Sequence, residues 1–256
     1  MGNRVALMRR GLACVVAPAL LLTGCTKGDS QSSTDRLKPR NSVTIAADPA
    51  SEEQMVLAEI YRQVLELADR EVGIVGLRMD TSEERLEALR QNDANLTVVC
   101  TGAVAESMNL AETKELLDRE GGASENADQP MSEDTVNAIY DVALATFDGN
   151  WATVDPSPAQ ACSSEPGVAE EESEDSEGLK LPQNVIPVFD TNDFDRGERG
   201  AMNAVTRALN TEDLNELVEE SKKTGKRTKL VNEWMMKRAG MGSELPRLKE
   251  GDPELQ

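Results

Sequence analysis

Histidine is absent from the 256 residues, and that absence removes most of the usual catalytic groupings. Ser–His–Asp and Cys–His nucleophiles both need an imidazole base. There is no glycine-rich phosphate loop with its lysine and no dinucleotide fingerprint. The chain is therefore expected not to be an enzyme, and no catalytic residue, cofactor or metal is assigned to it. The 47 acidic residues against 27 basic ones give a net charge of −20. Carboxylates at that density cannot mark out a paired acid and base; most are solvated surface. The balance also opposes a nucleic-acid partner, which is held by Lys and Arg neutralising phosphates. Six acids fall within 170–177. Their hard oxygen ligands suit weak Ca²⁺ binding, but a solvated linker is the simpler account. Five basic residues lie within 222–229. They suit either contact with anionic headgroups or a basic loop between two helices, with Gly225 closing the first.

The elements that must position any site alternate between strand and helix. Val43–Ala47 is a short apolar strand. From Ser51 the apolar residues Val56, Leu57, Ile60, Val64 and Leu67 recur at helical spacing. A second strand is read over 72–79 and a third over Leu96–Cys100. Between them TSEE, 81–84, has capping-box spacing ahead of Leu86 and Leu89. This alternation predicts an α/β fold with a parallel-rich sheet flanked by helices. Further helices are expected over Leu110–Arg119 and 131–147, the latter with Ser132 as N-cap. Strands are expected over 151–154 and 184–190. Three more helices are read over 198–209, 211–222 (capped by Thr211) and 228–239.

Arg4, Arg9 and Arg10 precede an apolar run over 12–22. That run is too short for a bilayer core, which takes roughly 20 residues, so 1–24 reads as a signal peptide. The run ends in LLTGC, 21–25, which resembles the lipobox of bacterial lipoproteins. In that family the cysteine after the cleavage point is acylated. The resemblance implies a lipid on Cys25 and an extracytoplasmic protein anchored to the bacterial cell membrane. Residues 25–41 read as a flexible tether. Cys14 falls in the signal, leaving Cys100 and Cys162 in the mature body. An even pair in an exported protein suggests a disulfide, with two separate buried thiols as the alternative.

Three stretches then carry a wider resemblance: EEQMVLAEIYRQVLE at 52–66, CTGAV at 100–104, and the run from NVIPVFD through TRALNTEDLNELVEE to LVNEWMMKRAG. Together they resemble the substrate-binding lipoproteins of glycine betaine and osmoprotectant ABC transporters. WATVDPSPA, 151–159, is a weaker fourth match. The resemblance implies the type II periplasmic-binding-protein fold, with two α/β lobes closing on a solute, and an ABC permease as partner. It places Asp48, Ser51, Glu52, Cys100 and Thr101 nearest the cleft as ligand-binding residues.

Two departures qualify what is expected. Relatives build aromatic cages around a quaternary ammonium, because such a group donates no hydrogen bonds and aromatic faces attract it by about 0.5–2 kcal/mol each. Here Ser51 stands where the family has phenylalanine, Cys100 replaces a tyrosine, and only seven aromatics exist in the whole chain. The second lobe is also shortened. The expected layout is a main lobe of 42–105 plus 184–240, a reduced second lobe over 106–162, an acidic disordered linker over 163–183, and a disordered tail over 241–256. The function implied is solute binding for an ABC transporter, with a quaternary-ammonium or similar solute. The alternative is a degenerate homologue acting as a non-transport interaction module at the cell surface.

Overall fold

In the computed structural model, residues 42–119, 132–162, 165 and 180–238 are described. The expected signal 1–24, the lipidation at Cys25, the tether 25–41, the acid run 170–177 and the tail 241–256 lie outside the described residues.

Five strands form one sheet: β1 (Val43–Ala47), β2 (Val72–Gly76), β3 (Leu96–Cys100), β4 (Trp151–Ala152) and β5 (Val185–Asp190). Their order is β2-β1-β3-β5-β4. β1 pairs in parallel with β2 and β3, while β5 runs antiparallel to both β3 and β4. Around them lie α1 (Glu52–Leu67), α2 (Ser82–Arg90), α3 (Thr101–Met108), α4 (Leu110–Arg119), α5 (Glu133–Leu144), α6 (Arg196–Ala208), α7 (Thr211–Thr224) and α8 (Arg227–Arg238).

The two-residue strand period sends alternate side chains to opposite faces. Ile45, Leu96, Val98, Val185 and Phe189 face α1, α6, α7 and α8 through Leu57, Ile60, Met202, Leu214 and Met235. Ala46, Val99, Ile186 and Val188 face α2 to α5 through Leu86, Val104, Leu117 and Ile139. Central strands covered on both faces read as continuous apolar runs, which is why LTVVC and VIPVF carry no alternation. Residues 106–119 and 132–162, assigned to a reduced second lobe, pack on this same sheet.

Several local expectations differ in detail. The sheet is mixed, because β5 returns antiparallel. Pro187 sits within β5, and Val185, two residues earlier, exchanges its backbone groups with Ala159 and Ser157. The missing N–H of Pro187 points to the same side, past the end of β4, where no ladder bond is lost. The N-cap of α7 is Asn210, whose side chain accepts from Asp213 N at 2.8 Å. Thr211 Oγ1 instead accepts from Gln160 N at 2.9 Å. The helix α3 follows β3 directly and has no side-chain cap, so it left no start signal in the sequence. Within the segment read as a disordered linker, Glu165, Leu181 and Gln183 are buried.

Candidate functional site

The chain leaves β1 at Ala47 and turns sharply. Asp48 Oδ1 accepts from Ala50 N at 2.8 Å, and Asp48 O accepts from Ser51 N at 3.1 Å. This turn delivers Ser51 as the N-cap of α1, with its Oγ accepting from Gln54 N at 3.2 Å. A cleft of about 700 Å³ opens here. Asp48 and Ala50 to Gln54 line one side, Met79, Asp80 and Arg85 a second, and Asn215, Val218, Glu219 and Lys222 of α7 a third. Cys162 and Glu165 complete it. The cleft thus sits beyond the carboxyl ends of β1 and β2, where open α/β sheets hold ligands.

Its lining is acidic: Asp48, Glu52, Glu53, Asp80, Glu165 and Glu219 against Arg85 and Lys222. Two of these acids are committed to arginines. Arg227 grips Glu52 at both oxygens, Nε to Oε1 at 3.0 Å and Nη2 to Oε2 at 2.8 Å. Ser221 Oγ donates a short hydrogen bond to the same carboxylate. Burial works to raise the Glu52 carboxyl, but these bonds and the charges of Arg227 and Lys222 outweigh it and hold the group below its ordinary value. Glu165 binds buried Arg85 and accepts from Ser82 N at 2.8 Å and Ser82 Oγ at 3.1 Å. Arg85 is 1% exposed, and its Nε finds no acceptor.

Glu53 differs. It makes no ion pair among the described residues, and only Cys162 N donates to it, at 2.9 Å. Burial pushes its carboxyl above the ordinary value, and the Glu165 charge adds to this. The Cys162 N–H and the charges of Arg85 and Lys222 oppose the rise without cancelling it.

One wall depends on a covalent link. Cys100 at the end of β3 and Cys162 form a disulfide, with Cα atoms 6.2 Å apart. Cys162 adopts a left-handed backbone, φ 62°. Its N–H reaches Glu53, and its carbonyl accepts from Glu165 N at 3.0 Å. The bridge therefore holds the segment that seats both acids.

Of the residues expected at the cleft, Asp48, Ser51 and Glu52 come together on it. Cys100 is fully buried and reaches it only through Cys162. Thr101 is buried elsewhere: its Oγ1 donates to Pro182 O at 2.9 Å and accepts from Asn184 N at 3.2 Å. Beside it, a Cβ on Gly102 would stand 2.8 Å from both Leu181 Cβ and Pro182 O, so this position needs glycine. Glu53, Gln54, Asp80, Arg85, Glu165 and Glu219 were not singled out. Glu53 and Gln54 had a usable signal, since both follow the N-cap in the first turn of α1. Glu165 had none, lying in a stretch without hydrophobic period.

No protein-family model and no curated protein matches the sequence. Solved structures do. One is the crystal structure of a glycine betaine/carnitine/choline ABC transporter, 13% identical, with a TM-score of 0.52 over 77% of this chain and 98% of that one. Another is apo YehZ from Escherichia coli, 11% identical, with a TM-score of 0.52 over 76% of this chain and 98% of its own. The fold is that of the periplasmic solute-binding proteins. The expected α/β class and the resemblance to this group hold at the level of fold. Within this solute-binding fold, none of the seven aromatic residues lines the cleft. Tyr61 and Trp234, for example, are core residues, bonded to Thr206 and Asp213 at 2.8 and 3.0 Å.

Proposed function

We propose that the chain is the extracytoplasmic solute-binding component of an ABC transporter, held at the membrane by a lipid on Cys25. Its cleft receives a small solute bearing a positive charge, the class that includes glycine betaine, carnitine and choline. The role is binding and delivery to a permease, not catalysis. The observation that carries this reading is the acid-rich cleft at the carboxyl edge of the sheet, in a fold shared with solute-binding proteins. The amino end of α1 brings a partial positive charge, which Glu52 and Glu53 in its first turn offset. Together with Glu53, the carboxylates of Asp48, Asp80 and Glu219 line the cleft to attract a cation. No described helix is long and apolar enough to cross a membrane.

A thermal-shift titration with glycine betaine, choline, carnitine, proline betaine and ectoine tests this. Ligand at 100 times its Kd stabilises the folded state by about 2.7 kcal/mol, or roughly 5–10 °C for a domain of this size. A saturable shift with a cationic solute is expected.

One observation favours a second reading. All strands among the described residues belong to one sheet, so no second sheet among them faces the cleft. Typical small-molecule pockets bury 70–90% of their ligand. A chain that keeps one lobe would act as a non-transport interaction module at the cell surface. Cooperative melting without a shift for any solute is the result this reading expects.

A further inference from the structure

Asp48 is only 4% exposed, yet no cation pairs with its carboxylate among the described residues. Its Oδ1 accepts from Ala50 N at 2.8 Å, and its Oδ2 receives no donor among those residues. Glu53 is half-buried and also has one oxygen free. Its Oε1 takes the Cys162 N–H at 2.9 Å, and Oε2 receives none. Gln54, also 4% exposed, has a buried Oε1 without a partner. All three residues line the same cleft. Buried acceptors in folded proteins are nearly always satisfied, and buried charges are paired. One buried acceptor without a donor, Gln54 Oε1, stands on the same cavity as two carboxylate oxygens that no protein donor occupies among the described residues, and a ligand bearing donors would satisfy all three.

We infer that the cleft takes an organic cation carrying N–H groups, a primary ammonium or a guanidinium, in preference to a fully N-methylated one. This rests on the solute-binding reading above and narrows its substrate class. An ammonium offers three donors and a guanidinium five. A trimethylammonium offers none and is held by aromatic faces, which this cleft lacks. A metal ion is a poorer fit, since hard cations gather several oxygens into one coordination sphere. Among the described residues the only such close group is Cys100, Cys162 and Glu165, and two of its members are spent in the disulfide. The cleft carboxylates are spread, as an extended organic cation requires.

The test is calorimetric titration of the purified full chain with putrescine, spermidine, L-lysine and L-arginine, beside choline, glycine betaine and calcium chloride. Salt at about 0.15 M keeps the Debye length near 8 Å. Glu53→Gln and Asp48→Asn each keep the oxygen that accepts from the backbone and turn the free one into an NH₂. Asp141→Asn, on exposed surface of α5, makes the same charge change away from the cleft. The expected result is saturable binding of at least one N–H cation, weakened roughly 10–100-fold by Glu53→Gln or Asp48→Asn. Asp141→Asn leaves it unchanged, and choline and glycine betaine bind at least about tenfold more weakly. Choline or glycine betaine binding as tightly as any N–H cation overturns this inference and leaves solute binding standing. An equal loss in Asp141→Asn, or calcium binding that Glu53→Gln abolishes, overturns it as well. Failure of every compound to bind a cooperatively melting chain overturns both this inference and the proposed function.

Discussion

Two neighbouring glutamates at the start of α1 pull stability in opposite directions with pH. The Glu53 carboxyl is raised above its ordinary value of 4.5, chiefly by burial. In the window between 4.5 and its raised value the folded chain holds a proton that the unfolded chain has lost. Stability from this group is therefore full below 4.5 and lost as pH rises through the raised value. Burial also works to raise Glu52, but the Arg227 and Ser221 bonds and nearby charges leave it lowered. Its contribution is full above 4.5 and lost as pH falls through the lowered value. Urea melts of Glu53→Gln and Glu52→Gln from pH 3 to 8 check both signs. Glu53→Gln should gain on the parent as pH rises through the window. Glu52→Gln should lose about 1–3 kcal/mol above 4.5 and converge on the parent in acid. A Glu53 that costs stability when empty suits a residue kept for a ligand.

The helices succeed or fail as starts and stops. Thr81 and Glu84 form the capping box that their spacing announces, and Asp195 with Glu198 forms another. Gly225 ends α7 in a left-handed conformation, φ 68°, as the basic run containing it suggested. The sequence pointed to Thr211 as the N-cap of α7, but Asn210, which has the same capping chemistry, fills that role. Asn210 wins because Thr211 Oγ1 is occupied by Gln160 N. Asn210→Ala should cost about 1 kcal/mol, lowering Tm by roughly 2–4 °C. Thr211→Val should leave the cap intact. Equal losses for the two variants in thermal melts would contradict this assignment. α7 also carries Glu219 and Lys222 to the cleft, so a frayed α7 should weaken solute binding too.

Across the whole molecule, the 62-residue separation of Cys100 and Cys162 makes their bridge the long-range constraint on the cleft. Closing a loop of that length stabilises the fold by about 4 kcal/mol in the chain-entropy model. Cys100→Ala with Cys162→Ala should lower the urea midpoint accordingly. It should also release the Cys162 N–H from Glu53 and loosen the seat of Glu165. A double variant with an unchanged midpoint would show that packing alone holds this wall. Beneath it, Arg85 and Glu165 stand as a buried pair whose separation is expensive. Glu165→Ala, which strands the Arg85 charge, should cost about 3–5 kcal/mol in the same urea assay.

Residues near one another in the chain determined their own structure legibly. Strand and helix alternation, the capping box at Thr81 and the cysteine pair were all open to reading. Each depends on contacts within a turn or two, or on composition alone. Three features depended on the tertiary structure: the antiparallel return of β5, the burial of Glu165, and the closing of a cavity over Asp48, Glu53 and Gln54 by Cys162, Glu165 and α7. Val98 pairs with Pro187, and Arg85 with Glu165, across spans in which no local propensity operates. An acid in a charge-rich stretch looks like any other until a buried arginine selects it. Sequence sets which elements form because that energy is local; the site exists only where topology brings distant groups out of water together.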